Sequence, residues 1–184
     1  MLTLKELKNL GRVLSLFLGL FADCFASVRG RDSLKLYVKG QLSDIQRKNC
    51  EAIALKFNRS ARTLQRLLES IKWNEEMLRD RTQQIIARDH AHAEAIGTVD
   101  ESGTAKSGRC TAAVARQYNG NRGNVENCTV GVHLGYSAPG FNTLLDSRLY
   151  VPKDWASDAS RRKESHIPDD VEFQTKPQIA LGLI

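Results

Sequence analysis

Apolar side chains recur at helical spacing through the first half of the chain and alternate with small polar ones from about residue 95 onward. Leu4, Leu7, Leu10 and Leu14 are three or four positions apart, which predicts a helix whose apolar side faces a core. A loop is expected around Arg29-Gly-Arg-Asp32, and Ser43 then opens a helix expected to run to Phe57. Asn58-Arg59-Ser60 breaks that helix. Ser60 can cap a second one, in which Ala61, Leu64, Leu67, Leu68 and Ile71 form one apolar stripe. Asn74 reads as the cap of a third helix, from Glu75 to about Ala91, with Glu75 and Glu76 in its first turn and Arg88 near its end, the order a helix macrodipole favours.

Beyond Ala95 glycine becomes frequent and helical periodicity disappears, so a boundary is expected near residues 90–95. Candidate strands are Ala95–Asp100, Thr111–Tyr118, Cys128–Ser137 and Thr143–Val151, joined by Asn- and Gly-rich loops and expected to form an antiparallel meander. In the third, Val130, Val132 and Leu134 share a face. In the fourth, Leu145, Leu149 and Val151 are expected to share one while Asp146 and Arg148 point the other way. The charged stretch Pro152–Asp170 reads as a surface loop or short irregular helix, and Pro177 suits the first turn of a helix that continues through Ile184. The fold class is α+β: an all-helical region over residues 1–92, then, over 93–184, strands and the start of one helix. A sheet left one-sided in this way predicts that the second region is truncated.

A length of 184 residues allows one ordinary domain or two small ones with a real core. The charge changes the picture, because residues 1–92 hold 17 Lys+Arg against 10 Asp+Glu and residues 93–184 hold 10 against 11. A basic first half suits a polyanion, nucleic acid before membrane, although it also suits solubility alone. Cys24, Cys50, Cys110 and Cys128 are widely spaced, which argues against a zinc knuckle or a disulfide framework and fits reduced thiols in the cytoplasm. His90 and His92 fall on different helix faces and have no third ligand at a useful spacing. Val13–Ala22, after Lys5, Lys8 and Arg12, imitates a signal peptide. It is too short to span a bilayer, and Glu6, Asp23 and Cys24 stand against cleavage.

Two groups carry candidate chemistry. Arg59, Arg62 and Arg66, with Lys56 one turn earlier, lie opposite the apolar stripe of the second helix in a helix-turn-helix-like outline. They could meet DNA phosphates, and the same pattern is equally that of a solvated charged face. Asp100 ends the segment Ala95-Ile-Gly-Thr-Val-Asp, which places a carboxylate at the expected strand end beside Ser102-Gly103. Taken alone, such an aspartate is an ordinary turn former. Glu101 should point to the opposite side of the strand, and Asp146 is the better candidate for a nearby second acid.

The blocks Thr98-Val-Asp-Glu-Ser-Gly-Thr-Ala-Lys-Ser-Gly108, Val114-Ala-Arg-Gln-Tyr-Asn-Gly120, Asn127-Cys-Thr-Val-Gly-Val-His-Leu134, Leu145-Asp-Ser-Arg-Leu-Tyr-Val-Pro-Lys-Asp-Trp155, Ile167-Pro-Asp-Asp-Val-Glu-Phe173 and Gln174-Thr-Lys-Pro177 together resemble bacterial insertion-sequence transposases of the DDE superfamily, SRSO-like group. The resemblance is close over residues 93–184 and looser over 30–92. It implies an RNase H-like catalytic fold, with Asp100 as the first acid of the triad and a Mg²⁺ ligand. DNA, as transposon ends, and other transposase subunits are the implied partners, with no membrane. The second and third acids are expected downstream of Pro177 and are absent from this sequence, which predicts an inactive fragment. The alternative is a stand-alone DNA-binding or regulatory module.

Overall fold

The structure is a computed structural model that describes the backbone from Leu4 to Ile184 and side chains from Asn9. Two compact units divide between Arg81 and Thr82, inside a helix rather than after it. No helix among the described residues is long and apolar enough to cross a membrane.

The first unit is helical: α1 (Leu4–Gly19), a 3-10 turn (Ala22–Cys24), α2 (Val28–Gln41), α3 (Cys50–Lys56), α4 (Ala61–Glu69) and the front of α5 (Glu75–Asp89). Leu4 and Leu7 lie outside the described side chains. Along the rest of α1 only Leu18 and Phe21, just past its end, are buried, while Leu10, Val13, Leu16, Phe17 and Leu20 are exposed. The expectation of a core-facing α1 is therefore corrected to a helix anchored at its end. Phe21, Cys24 and Phe25 seat that end, Phe25 stacks on Trp73 with centroids 5.8 Å apart, and the two residues form a β-bridge. Arg81 grips both carboxylate oxygens of Asp23 and the Leu20 carbonyl.

The expected loop at Arg29–Asp32 is instead the front of α2. Ser27 caps it, accepting from the Gly30 amide at 3.1 Å. Conversely, the helix expected from Ser43 begins only at Cys50. The polar run before it carries no apolar period, Lys48 ties it to the Gln41 and Ser43 carbonyls, and Asn49 supplies the cap by accepting from Ala52. Ile53, Ala54 and Leu64 form the core of the unit, with Leu36, Tyr37 and Phe57 against them. Leu64 and Leu67 on α4 are buried as the stripe predicts, but Leu68 is 58% exposed. The α2–α3 approach is set by Gly40, where a Cβ would fall 2.3 Å from the Ile53 side chain. Asn74 caps α5 as expected, accepting from Met77 at 2.9 Å.

The second unit is built on β3 (Asn124–Ala138). On one edge it pairs antiparallel with β1 (Ile96–Ala105), and on the other with β2 (Ala115–Asn119) and then β4 (Phe141–Leu149). Glycines with positive φ, Gly123 (67°) and Gly140 (78°), turn the two hairpins. Val130 and Val132 are buried and Leu134 half-buried, on one face. That face is covered by α8 (Lys176–Leu181), whose Ile179 packs on Val132 together with Leu183. Thr175 and Gln178 close a reciprocal capping box at the start of α8, with Pro177 in its first turn.

One expectation is corrected here and another is refined. β4 carries a bulge, since Leu134 pairs with Asp146 but Gly135 with Leu144, leaving Leu145 over. Leu145 hands its carbonyl to Gln83 of α5, and Leu149 is 47% exposed rather than part of an apolar face. The charged stretch after Pro152 is largely exposed and takes the expected form of short helices. It forms α6 (Lys153–Ala156) and α7 (Ala159–Glu164), and the Trp155 between its charges is buried against Ala113, Val114 and Val151.

Two outcomes are expected for the helical unit. Gly40→Ala should cost about 1–3 kcal/mol by overpacking, and in denaturant titrations Ile53→Ala should offset part of that loss in the double variant. Additive losses would show that the contact is not what sets the spacing. The hydrogen bond and charge of Arg81 hold Asp23 below the usual carboxylate range, so its contribution is present above the unfolded value and is lost as pH falls through the lowered folded one. Acid titration of thermal stability should therefore be shallower in Asp23→Asn than in wild type.

Candidate active site

β1 carries the candidate acid, and its register with β3 decides which way each side chain points. Asp100 pairs with His133, and His133 with Ser147 of β4, so these three share a face. Glu101 pairs with Val132 and lies on the face that α8 covers, where Lys176 of α8 binds its carboxylate at 2.7 Å. Alternation thus separates the two adjacent acids as expected. Asp146 pairs with Leu134, which in turn pairs with Val99, so it lies on the Glu101 face and one strand removed from β1. The expectation that Asp146 approaches Asp100 is corrected: β3 intervenes and the bulge at Leu145 fixes the register that turns it away.

Asp100 does not end its strand. β1 continues through Gly103, paired with Val130, to Ala105. Gly103 is there for space rather than for a turn, because a Cβ on it would lie 2.4 Å from Oδ1 of the buried Asn119. Asn119 donates from its amide to Glu126 at 2.7 Å, and Asn121 of the same hairpin donates to the Gly103 carbonyl at 2.9 Å. The β2–β3 hairpin is thereby clamped onto β1 beyond the acid.

The Asp100 face is open and polar. Asp100 itself is exposed, with Thr98 and Ser102 two positions to either side on the same strand face. One Asp100 oxygen accepts from the Glu101 amide at 2.8 Å, which leaves the other without a partner among the described residues. Across from it the His133 ring lies over Gly131, where a Cβ would come within 2.8 Å of the ring, and His133 Nδ1 is 2.7 Å from Ser147 Oγ. Directly paired side chains start about 4.5–5.5 Å apart at Cβ, so His133 is the nearest polar neighbour of Asp100 across the strands. Sequence reasoning missed it. The pattern Val-Gly-Val-His-Leu gave its face, but only the register could place it opposite Asp100.

A divalent cation takes carboxylate oxygens first, and the exposed carboxylate of Asp100 fits as one ligand, with the imidazole of His133 on the same face. Among the described residues no group of three His, Cys, Asp or Glu side chains is placed to hold a metal ion. In the helical unit, Lys56 is paired with Asp44, and Arg62 with Glu69 at 2.7 Å. Arg59 and Arg66 are exposed and have no carboxylate partner among the described residues. The four basic residues read from the sequence are thus not electrostatically equivalent.

The family model described as DDE superfamily endonuclease matches residues 20–184. A probable transposase for insertion sequence element IS701, from Microchaete diplosiphon, is 28% identical over 165 residues, which cover 89% of this chain and 40% of that protein. The chain thus spans about 40% of the length of the curated relative it matches. No solved structure matches it.

The roles of two neighbouring residues separate by experiment. Gly103→Ala should destabilise the second unit by about 1–3 kcal/mol, since buried Asn119 must yield, whereas Asp100→Asn should change stability by less than about 0.5 kcal/mol. A large loss on changing Asp100 would make it a structural residue.

Proposed function

This chain belongs to the DDE superfamily endonucleases, and from that premise we propose that it carries the helical DNA-associated region and the first strands of an RNase H-like catalytic domain of an insertion-sequence transposase. The observation that carries this reading is the placement of Asp100: mid-strand, exposed, with one oxygen unengaged among the described residues, on the face of the sheet opposite α8. Its neighbour Glu101 is ion-paired to Lys176 on the other face, so of the two adjacent acids Asp100 is the one able to take a ligand from solvent.

When bound, Mg²⁺ supplies charge neutralisation at the phosphate and lowers the pKa of a coordinated water. Asp100 would hold the ion, and His133, kept over Gly131 by its contact with Ser147, would border it. Lys176 keeps Glu101 out of the site by charge pairing. Two-ion phosphoryl transfer needs several carboxylates, and among the described residues of the sheet Asp100 is the one carboxylate on this face. On their own they would bind DNA without cutting it. The basic contribution from the helical unit would rest on Arg59 and Arg66, with Lys56 and Arg62 joining only after giving up Asp44 and Glu69. The β1 edge away from β3 has no partner among the described residues, and an open edge of this length is a place for a further strand.

Electron paramagnetic resonance of Mn²⁺ titrated into the chain with a duplex oligonucleotide tests the assignment. Asp100→Asn should weaken binding about tenfold or more, while Glu101→Gln should leave it unchanged. The reverse pattern would transfer the role to Glu101. Turnover of a labelled oligonucleotide by the purified chain with Mg²⁺, abolished in Asp100→Asn, would overturn the reading that these residues alone are inert.

A further inference from the structure

A cavity of ≈ 510 Å³ opens at the foot of the sheet, between the loop after β1, the start of β2 and α6–α7. Its size falls within the range of ligand pockets, roughly 300–1,000 Å³. Three arginines line it, Arg109, Arg116 and Arg161, with a single lining acid, Asp154. A cavity lined by one sign of charge raises the local concentration of anions.

The three arginines differ from Arg88, Arg122 and Arg162 of the same unit. Arg88 is paired with Asp89, Arg122 with Glu126, and Arg162 is spent on the Ala156 and Pro168 carbonyls. Arg109 and Arg116 are exposed and have no ion pair among the described residues. Arg161 is held in place without a carboxylate: its guanidinium carbon sits 3.6 Å from the centroid of the Trp155 ring, and its Nη2 donates to the Arg109 carbonyl at 3.3 Å. Trp155 in turn is buried and donates from its indole N–H to the Val114 carbonyl at 2.7 Å. Asn127 donates from its amide to the Lys106 and Gly108 carbonyls and so fixes the loop that presents Arg109. The result is a prepositioned fork donor with two free ones beside it, the arrangement that suits the paired oxygens of a phosphate.

The geometry points to a site for a backbone phosphate of DNA, read without regard to sequence. The Trp155 face is already covered by Arg161, so no aromatic surface is left there for a base to stack on. The cavity also continues the Asp100 face. Asn127 is paired with Arg116 of β2 and lies six residues along β3 from His133, with Thr129 and Gly131 between them on that face. At about 3.3 Å per residue this is roughly 20 Å, which matches about six base-pair rises of duplex. A duplex lying along this face would present a backbone phosphate to the arginines at that distance from Asp100. The inference rests on the DNA reading given above and adds a second point of attachment to it.

The experiment is fluorescence anisotropy of a labelled duplex with the full chain across a salt series, without metal, comparing wild type with Arg109→Ala, Arg116→Ala and Arg116→Lys, each checked by circular dichroism. The log–log salt slope should become shallower by about one for each alanine variant and stay unchanged for the lysine variant. Inorganic pyrophosphate, scored by thermal shift, distinguishes a small-anion site. Wild-type binding with a steep slope that both alanine variants retain would overturn this inference alone. Stabilisation by pyrophosphate together with unaltered slopes would overturn it in favour of a free anion. Absence of any salt-dependent binding by wild type would overturn the DNA reading itself and this inference with it. An alanine variant that fails to fold leaves the test to Arg116→Gln, for which the same loss of slope is expected.

Discussion

The register of β1 on β3 is the constraint on which the second unit depends. It runs without a bulge from Ile96 against Ser137 to Ala105 against Cys128, so alternation is kept for the whole strand and two adjacent acids are sent to opposite faces. A slip of one residue would exchange them, placing Glu101 in solvent and Asp100 against Lys176. Such a slip is opposed at Gly103, because it would bring a residue with a Cβ into the space that the Asn119 side chain fills. The irregularity the sheet does tolerate falls on the other edge of β3, at Leu145, where the Gln83 amide takes up the released carbonyl.

What the sequence revealed follows from which forces are local. The strands near residues 96, 128 and 141, the cap at Asn74 and the start of α8 near Pro177 each depend on residues within one turn or one pleat, and they were legible; Ser60 stands at the start of α4 but its side chain makes no cap hydrogen bond. The α2 helix was hidden because Arg29, Gly30, Arg31 and Asp32 look like a loop; Gly30 and Gly40 are there to let other elements close in, which only tertiary packing explains. Trp155 was hidden among charges for a similar reason. Its value lies in Ala113 and Val114, some forty positions earlier in the chain. Asp100 was singled out through its motif, but its setting was misread as a turn, because a glycine that yields space cannot be told from a glycine that turns the chain without its neighbour Asn119. The proximity assigned to Asp146 failed for want of strand order: three strands stand in the row, and the middle one was not identified from the pattern alone.

Charge tells a parallel story. A count of basic residues by region pointed at the helical unit, yet pairing removes part of that charge from any outside partner, as with Lys56 and Asp44 or Arg62 and Glu69. The second unit has almost no formal excess and still gathers Arg109, Arg116 and Arg161 around one cavity. Net charge governs long-range attraction, but a local site depends on which guanidinium groups lack acceptors. The weaker regional signal therefore marks the better-organised site.

The two faces of the sheet also divide their work in a way that bears on catalysis. On the α8 side, Val132, Ile179 and Leu183 are buried and the one carboxylate of β1 is neutralised by Lys176, so that face stabilises. On the other side small and polar residues predominate and Asp100 keeps an oxygen free. An exposed carboxylate adds little to folding. Leaving Asp100 in the open while anchoring its strand at Gly103 and through Glu101 satisfies two requirements: the backbone is fixed by contacts on either side of the acid, and the acid itself remains available.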